Sequence, residues 1–347
     1  MSSPLSIDPD IAVAQTLPGS FYSDAAVFAA LRERVFARTW QWLGTLDDVA
    51  EPESLAPRAL LPGFLDEPLL LSRDAEGRLR CMSNVCTHRG NILVGAACRA
   101  KQIRCGYHSR RFDLAGHMTF MPEFKEARDF PSPSDDLPQV AFGEWAGQAF
   151  ASLDPAGALA EFLAPVQASV ASDPLGQLTY DPTRDRDFSV KAHWALYVEN
   201  YLEGFHIPFV HAALNEVVDY GSYASELHRY ANLQLAHDKQ GQVAARYWWV
   251  FPNLMLNFYP WGLSVNVVQP QAIDRTRVLF RSFVWDESKL ERGAGAGLDR
   301  VEAEDEAVVE AVARGVRSRL YTRGRYSPTR ERGVHHFHRL LCEFLDG

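Results

Sequence analysis

The sequence predicts an α+β protein in which a region of short strands is combined with a region of antiparallel sheet and helices. Three observations lead to this fold class. In residues 38–155, short apolar runs are separated by Pro, Gly and Asp, with little helical periodicity. Between residues 242 and 285, longer apolar segments are joined by short turns, as in an antiparallel meander. Residues 299–321 repeat apolar side chains at the spacing of an amphipathic helix.

The predicted elements follow the chain in three regions. Residues 1–37 are predicted to form a polar arm and a helix from Ala25 to Ala37, which pack on the C-terminal region. Residues 38–155 form the β-rich region. The elements predicted within 156–347 are a helix in 156–175, a helix from about 193 through Tyr201, strands Gln242–Phe251, Leu254–Tyr259, Leu263–Gln269 and Arg277–Trp285, a linker Gly293–Gly297, and helices 299–321 and 333–345.

Composition and charge narrow the classes of partner. The 347-residue chain has 35 basic and 44 acidic residues, a formal net charge of −9, which excludes nucleic acid as the main partner. Five cysteines are too few for a disulfide scaffold. Tyr247–Ile273 carries no charge, but prolines interrupt it, which predicts buried strands rather than a membrane helix. Because the first basic residue is Arg32, we expect no secretory signal and a cytoplasmic protein without a membrane partner.

Two short motifs in the β-rich region each supply one thiol and one imidazole. The first is Cys86-Thr-His88 and the second is Cys105-Gly-Tyr-His108. Two Cys and two His can hold a tetrahedral zinc ion, or a [2Fe–2S] cluster in which two His ligate one iron. Zinc fingers usually pair Cys with Cys and His with His. Since each arm here carries one of each, the pattern favours the two-iron cluster.

A second set of candidate metal ligands lies in the C-terminal region. His206 and His211 are five residues apart and would point to different faces of an ideal helix. Pro208 does not fit a regular helix interior, so the chain turns between the histidines and both imidazoles can reach one metal. On this evidence alone, two ordinary histidines near a helix end are equally consistent with the sequence.

The helix predicted over 299–321 offers a carboxylate for this set. Asp305 falls in the middle of an apolar stripe, whereas Glu302, Glu306 and Glu310 fall on its flank or beyond. The stripe consists of Val301, Val308, Val309, Val312 and Val316. A carboxylate that faces the core needs a metal, a buried salt bridge or a capping role. With the two histidines, Asp305 would complete a 2-His-1-carboxylate iron site.

The cluster motifs resemble those of the Rieske non-haem iron oxygenases. Asn84-Val-Cys86-Thr-His88-Arg-Gly90 and Cys105-Gly-Tyr-His108 carry the resemblance. Rieske proteins of the cytochrome bc complexes have a further cysteine in each arm, where this chain has Asn91 and Tyr107. This difference implies the lower-potential cluster of the oxygenases.

The chain departs from the family pattern directly after the second motif. Many members continue with Gly-Trp, whereas this chain continues with Ser109-Arg110-Arg111. We therefore expect the docking surface next to the second motif to differ from that of the family. Cys81 and Cys98 lie nearby in sequence and are expected to be free, packed thiols.

The resemblance covers roughly residues 38–345 and implies an architecture and cofactors. It implies a Rieske all-β domain (38–155) inserted in a helix-grip catalytic domain (156–347) with a large antiparallel sheet and covering helices. The cluster ligands would be Cys86, His88, Cys105 and His108. Mononuclear Fe(II) would be held by His206, His211 and Asp305, since Asp305 and Glu310 match the family's Asp-x4-Glu. Dioxygen would be the co-substrate, and NAD(P)H would act only through a separate reductase or ferredoxin.

Two further residues receive roles from the resemblance. In the family, an acidic residue three positions before the first iron His links it to a cluster His of the neighbouring subunit. Mapped here, Glu203 would link His206 of one chain to His108 of the next, which implies a head-to-tail ring, usually a homotrimer. Asn200 matches a polar residue near the iron.

The substrate class is predicted from Glu203 and from the aromatic strands. Relatives that oxidise carnitine, betaine or choline-like compounds carry Glu at this position, and aromatic rings in residues 248–261 can surround a quaternary ammonium group. We therefore favour oxidation or N-demethylation of a quaternary ammonium compound. Hydroxylation of an aromatic acid is the alternative. The alternative from another class is a Rieske electron carrier with a non-catalytic binding domain.

Overall fold

Short strands build the β-rich region. In the computed structural model, which describes residues 5–346, the chain divides into a unit of residues 37–156 and a unit of residues 1–36 with 157–347. The strands of the first unit are β1 (Gln41–Thr45), β2 (Ser54–Leu60), β3 (Glu67–Arg73), β4 (Leu79–Ser83), β5 (Cys98–Arg99), β6 (Ile103–Arg104), β7 (Arg111–Phe112), β8 (Met118–Phe120), β9 (Ala141–Trp145) and β10 (Gln148–Ser152). They pair antiparallel in the orders β1-β10-β9, β4-β3-β2-β5 and β6-β7-β8.

The thiols of the two motifs lie in the apolar core of this unit. Cys86 and Cys105 are each 2% exposed and belong to a core cluster with Leu70 and Phe112. Burying a Leu or Phe side chain stabilises such a core by about 1.5–3 kcal/mol, which fixes the loops that carry the cysteines. Cys81 is buried as predicted, but the prediction of a packed thiol is wrong for Cys98, which lies exposed on the edge strand β5.

The second unit combines one large sheet with covering helices. Its helices are α1 (Ala25–Leu31, continued as a π-helix over Arg32–Phe36), α2 (Leu159–Ser169), α3 (Trp194–Tyr201), α4 (Ile207–Val210), α5 (Ala212–Val217), α6 (Leu298–Gly315) and α7 (Arg332–Asp346). Its strands are β11 (Thr179–Tyr180), β12 (Arg186–Val190), β13 (Ala224–His228), β14 (Ala231–His237), β15 (Val243–Val250), β16 (Leu254–Tyr259), β17 (Gly262–Ala272) and β18 (Arg275–Val284). The sheet order is β11-β18-β17-β16-β15-β14-β13, and β12 also pairs with β18. The α+β fold class is confirmed.

The uncharged stretch Tyr247–Ile273 forms the middle of this sheet. It spans the second half of β15 and all of β16 and β17, and every residue of β16 is buried. Strands that are covered on both faces read as continuous apolar runs, which explains the pattern. Within residues 5–346, no helix combines the length and apolar character needed to cross a membrane.

The helix predicted over 299–321 is shorter in the structure and ends at Gly315. After it the chain turns, and the Ser318 N–H donates to the Gly315 carbonyl at 3.0 Å. The following segment pairs with the N-terminal arm, where the Gly19 N–H donates to the Thr322 carbonyl at 2.9 Å. The predicted end is wrong because this pairing partner lies far away in sequence, where helical periodicity carries no information about it.

His193 starts α3 and makes the stability of this unit sensitive to acid. Its side chain is 1% exposed, and its Nδ1 accepts a hydrogen bond from the Ala195 N–H at 3.2 Å. Burial lowers the pKa of His193 from 6.5 to about 3. Between these values the unfolded chain binds more protons than the folded chain. The free energy of unfolding is therefore not reduced by His193 above pH 6.5. Below pH 6.5, protonation of this residue in the unfolded chain lowers the free energy of unfolding by up to about 1.4 kcal/mol per pH unit.

We expect the variant His193→Asn to lose less stability between pH 7 and pH 5 than the wild type, because Asn retains a capping oxygen without titrating. Urea unfolding of both proteins at the two pH values measures this difference. Equal losses in the two proteins would show that His193 is not the acid-sensitive group.

Candidate metal centres and substrate cavity

The two cluster motifs fold into loops with the same hydrogen-bond pattern. In each loop the cysteine N–H donates to the carbonyl five residues further on, at 2.8 Å for both Cys86 and Cys105. Each cysteine carbonyl accepts from the residue four positions on, Gly90 at 3.0 Å and Ser109 at 3.1 Å. Gly90 (φ +72°) and Ser109 (φ +61°) both adopt the left-handed conformation that reverses the chain. The two loops thus have similar backbone conformations, and each loop presents one thiol and one imidazole.

The two loops bring like donor side chains together, imidazole beside imidazole and thiol beside thiol. The ring centroids of His88 and His108 are 4.8 Å apart, and the thiols of Cys86 and Cys105 lie close enough to influence each other's pKa. Burial raises the pKa of a thiol, but backbone N–H groups of Tyr107 and His108 donate to Cys105 and keep its pKa below the ordinary value. Nδ1 of His108 is buried and has no hydrogen-bond partner within residues 5–346. This donor set fits a Rieske-type [2Fe–2S] cluster.

Arg110 is buried beside this donor set rather than displayed on a docking surface. Its side chain is 2% exposed, and it donates to Asp135 Oδ1 at 2.5 Å. The guanidinium lies 5.6 Å from the ring centroid of Phe130, and the Thr87 O–H donates to the Asp135 carbonyl at 2.7 Å. The pair therefore ties both motif loops to the segment around residue 135. Ser109 and Arg111, which are both half-buried, can contribute to the surface that the sequence led us to expect here.

In the second unit, three ligand atoms converge from two distant segments. His206 Nε2 lies 3.1 Å from His211 Nε2 and 3.4 Å from Asp305 Oδ1, and His211 Nε2 lies 3.1 Å from the same oxygen. Pro208 stands in the first turn of α4, where proline is tolerated, and the chain bends at His211 before α5 begins. This bend brings imidazoles five residues apart to one side, as the sequence predicts.

Two carboxylates orient the imidazoles. His206 Nδ1 donates to Glu203 Oε1 at 2.6 Å, and His211 Nδ1 donates to Glu304 Oε2 at 2.8 Å. Both Nε2 atoms are thereby directed at Asp305, in the arrangement that metal-binding histidines usually have. Sequence reasoning identified Glu203 but missed Glu304, whose only sequence signal is that it directly precedes Asp305.

The electrostatics of this set suit a divalent cation. Burial opposes the charging of His206, but hydrogen bonds to Asp305 and Glu203 raise its pKa to about 9. Burial likewise opposes the charged form of Asp305, yet the two imidazoles hold its pKa at about 2. A metal ion takes the place of the shared protons, so these residues fit a 2-His-1-carboxylate iron site. Asn200 Nδ2 donates to Asp305 Oδ1 at 2.7 Å and positions that carboxylate.

Replacing Glu304 with Ala is expected to weaken Fe(II) binding at this site by about 10- to 100-fold, because His211 loses the partner that orients it. Iron retained after dialysis against a graded chelator series measures the effect. Glu306→Ala, which removes a carboxylate from the same helix, is the matched control. Iron retention equal to that of the control would exclude this role for Glu304.

A cavity opens beside the His-carboxylate set, between the sheet and the helices α3 and α6. Within residues 5–346, five tyrosines line it, namely Tyr197, Tyr201, Tyr223, Tyr247 and Tyr259. Burial raises the pKa of each of them, so the phenols stay neutral. Their hydroxyls also bond within the wall, as when Tyr201 O–H donates to Asn257 Oδ1 at 2.5 Å. The wall therefore offers neutral aromatic surface.

Apart from the two histidines and the tyrosines, the ionisable side chains that line the cavity carry carboxyl groups. They belong to Glu203, Glu302 and Asp305, and no Lys or Arg occurs among the lining residues that the structure describes. Glu302 is 4% exposed, whereas the sequence placed it on the flank of the apolar stripe, and Val312 of that stripe is 42% exposed. The predicted stripe is thus rotated relative to the real one. The reason is the hydrogen bond from Tyr197 O–H to Glu302 Oε2 at 2.6 Å, which compensates for burying a carboxylate.

Two family models match the two regions of the chain. Residues 39–131 match the Rieske [2Fe-2S] domain, and residues 220–347 match the ring hydroxylating alpha subunit (catalytic domain). The chain is a Rieske oxygenase alpha subunit. The predicted family, the iron-dependent oxygenase class, and the two cofactors, a [2Fe–2S] cluster and a mononuclear iron, are confirmed.

Curated relatives and solved structures resemble this alpha subunit over nearly its whole length. The chloroplastic choline monooxygenase of Arabidopsis thaliana is 28% identical over 96% of this chain and 84% of that protein. The carnitine monooxygenase oxygenase subunit of Escherichia coli strain K12 is 26% identical over 95% of this chain and 94% of that protein. The quaternary ammonium Rieske monooxygenase CntA in complex with gamma-butyrobetaine has a TM-score of 0.79 at 24% identity, covering 98% of this chain and 99% of that one. The structure of naphthalene 1,2-dioxygenase with bound indole has a TM-score of 0.73 at 16% identity and covers 96% of this chain and 92% of that one. This likeness shows that the fold is shared.

Proposed function

We propose that this alpha subunit oxidises a quaternary ammonium compound, by hydroxylation or N-demethylation. The observation that carries the proposal is the lining of the cavity, which combines tyrosine rings with three carboxylates and, in the described part of the chain, no Lys or Arg. A tetraalkylammonium group is attracted both by aromatic faces and by carboxylates. The relatives named choline monooxygenase and carnitine monooxygenase support the same class.

We propose ligand roles for the residues of both centres. Cys86, His88, Cys105 and His108 would hold the [2Fe–2S] cluster. His206, His211 and Asp305 would hold Fe(II). When bound, the cluster supplies single electrons from the reductase or ferredoxin, and the ferrous ion activates dioxygen.

The chain's own side chains define where the reaction takes place. Glu203 and Glu304 fix the imidazole orientation, and Asn200 fixes the carboxylate of Asp305. In the overall reaction one oxygen atom enters a C–H bond of the substrate. The other atom leaves as water with two protons and two electrons from the donor. Hydroxylation of an N-methyl carbon would give a carbinolamine that releases formaldehyde.

An aromatic acid fits the cavity less well. Its ring would suit the tyrosine wall, but its carboxylate would lie among Glu203, Glu302 and Asp305 without a basic lining residue in the described chain to offset it. Such like-charge contacts weaken binding. The likeness to naphthalene 1,2-dioxygenase does not alter this argument because it concerns the fold.

A single-turnover assay tests the proposed function. Reduced enzyme is mixed with oxygen in the presence of choline, glycine betaine, carnitine or benzoate, and products and formaldehyde are read by mass spectrometry. We expect an aldehyde or formaldehyde from an ammonium compound, at up to one equivalent per iron site. Hydroxylated benzoate without any ammonium product would overturn the proposal.

We further propose that the chains assemble as a head-to-tail ring, in which Glu203 meets His108 of a neighbouring chain. Beside His206, the rings of Phe205 and Phe209 are 40% and 79% exposed, and beside His108 the ring of Tyr107 is 56% exposed. Exposed apolar side chains next to both centres support protein contacts there. A ring of this kind, usually a trimer, would bring each cluster to the iron of the next chain.

A further inference from the structure

Glu302 is a buried carboxylate with one unpaired oxygen at the cavity wall. Its side chain is 4% exposed, and Oε2 accepts the hydrogen bond from Tyr197 O–H at 2.6 Å. Oε1 is buried and has no hydrogen-bond partner within residues 5–346. Leaving a buried carboxylate oxygen unpaired opposes folding, so its presence in a cavity wall points to a ligand that compensates for it.

The groups around Glu302 favour a positive ligand. From α3 it faces the neutral phenol of Tyr197, and on its own helix its charged neighbours are Asp305 and Glu306. Burial above all, together with these two carboxylates, raises the pKa of Glu302 to about 8, although the hydrogen bond from Tyr197 acts in the opposite direction. A cation beside the carboxylate stabilises its charged form, whereas an anion would be repelled by it.

The position of Glu302 relates the ligand to the iron ligands. It precedes Asp305 by three residues on α6, which places it about 4.5 Å away along the helix axis and on a neighbouring part of the same face. A nitrogen held at Glu302 would therefore keep its attached carbons close to Asp305. Oxidation of a carbon bound to that nitrogen requires this proximity.

We propose that Glu302 is the specificity-determining counter-ion for the ammonium head of the substrate, an inference that rests on the proposed function. It follows that the preferred substrates carry an uncharged tail, because no Lys or Arg among the described lining residues can neutralise a carboxylate. The amide side chains of Gln234, Asn257 and Asn266 line the same cavity and suit a hydroxyl or another neutral polar tail.

The test compares choline with 3,3-dimethylbutan-1-ol, its uncharged isostere, by calorimetric binding to iron-loaded enzyme without reductant. We expect the wild type to prefer choline by about 10-fold or more, and Glu302→Gln to lose about 10- to 100-fold in choline affinity with little change for the isostere. Asp299→Asn removes the charge of an exposed carboxylate on the same helix, which pairs with Arg186 and lies outside the cavity lining, and this variant should behave as wild type. Glycine betaine should bind the wild type more weakly than choline.

Each other outcome is decisive. If Glu302→Gln keeps the preference for choline, or loses choline and the isostere equally, Glu302 is not the counter-ion. If Glu302→Gln does not fold, the wild type and Tyr197→Phe decide the question. Equal affinities of the wild type for choline and the isostere would overturn the proposal. A preference for choline that is also found in Tyr197→Phe would support it. A wild type that binds benzoate and no ammonium compound overturns the proposed function itself, which separates the two failures.

Discussion

Replacing Asp305 with Ala is expected to leave a chain that holds two irons where the wild type holds three. Two imidazoles without the carboxylate make a poor Fe(II) site, whereas the cluster donors lie in the other unit and keep their own packing. Iron and acid-labile sulfide per chain, together with the visible spectrum, measure this directly. We expect two sulfides and an unchanged cluster spectrum in both proteins, and no product from the variant in a single turnover.

The matched control is Asp299→Ala, because it removes another carboxylate of α6 whose partner is the exposed Arg186. This variant should hold three irons and react as wild type. If Asp305→Ala also held three irons and reacted normally, Asp305 would not be an iron ligand. A wild type that held only two irons and gave no product would be better described as an electron carrier with a binding domain. A colourless wild-type preparation with bound zinc would overturn the cluster assignment as well.

Residues that lie close together along the chain were predictable from the sequence. The cluster motifs are two short loops. Pro208 indicates a break in the helix near His206 and His211, although the structure accommodates Pro208 in the first turn of α4 and bends the chain at His211. The central strands were predictable because full burial leaves an uncharged run, and their predicted ends differ from the observed ends by at most three residues. In each case the physical cause acts within about ten residues.

The parts that the sequence did not predict depend on distant contacts. The rotation of α6 about its axis determines where Glu302 and Glu304 lie. Hydrogen bonds fix this rotation, from Tyr197 to Glu302 across 105 residues and from His211 to Glu304 across 93 residues. The stripe of valines placed Asp305 on the side of α6 that meets His206 and His211 in the structure, but it misjudged Glu302, because a hydropathy pattern treats every carboxylate as polar. The structure shows instead that a phenol can compensate for a buried carboxylate.

Glu203→Gln is expected to keep both metals and yet to react about 100-fold more slowly, at the upper end of the effects of residues that orient metal ligands. The amide keeps the size of the side chain and one acceptor for His206 Nδ1. Its NH2 group cannot accept a hydrogen bond from a second imidazole, as a carboxylate oxygen can. The measurements are iron content, reduction of the cluster by the electron donor, and product from a single turnover. Glu216→Gln, an exposed change on α5, is the control.

Rings assembled from two different variants show in which chain Glu203 acts. The Asp305→Ala chain has a functional cluster but no mononuclear iron, and the Cys86→Ser chain has a functional mononuclear iron site but no cluster. If each cluster serves the next chain, a random equal mixture should regain about a quarter of wild-type activity, since one ordered neighbour pair in four is productive. Because Glu203 contacts His206 of its own chain, adding Glu203→Gln to the iron-bearing chain should abolish the recovery, whereas adding it to the Asp305→Ala chain should not. A mixture without recovery would instead indicate transfer within one chain and would remove the reason for a ring.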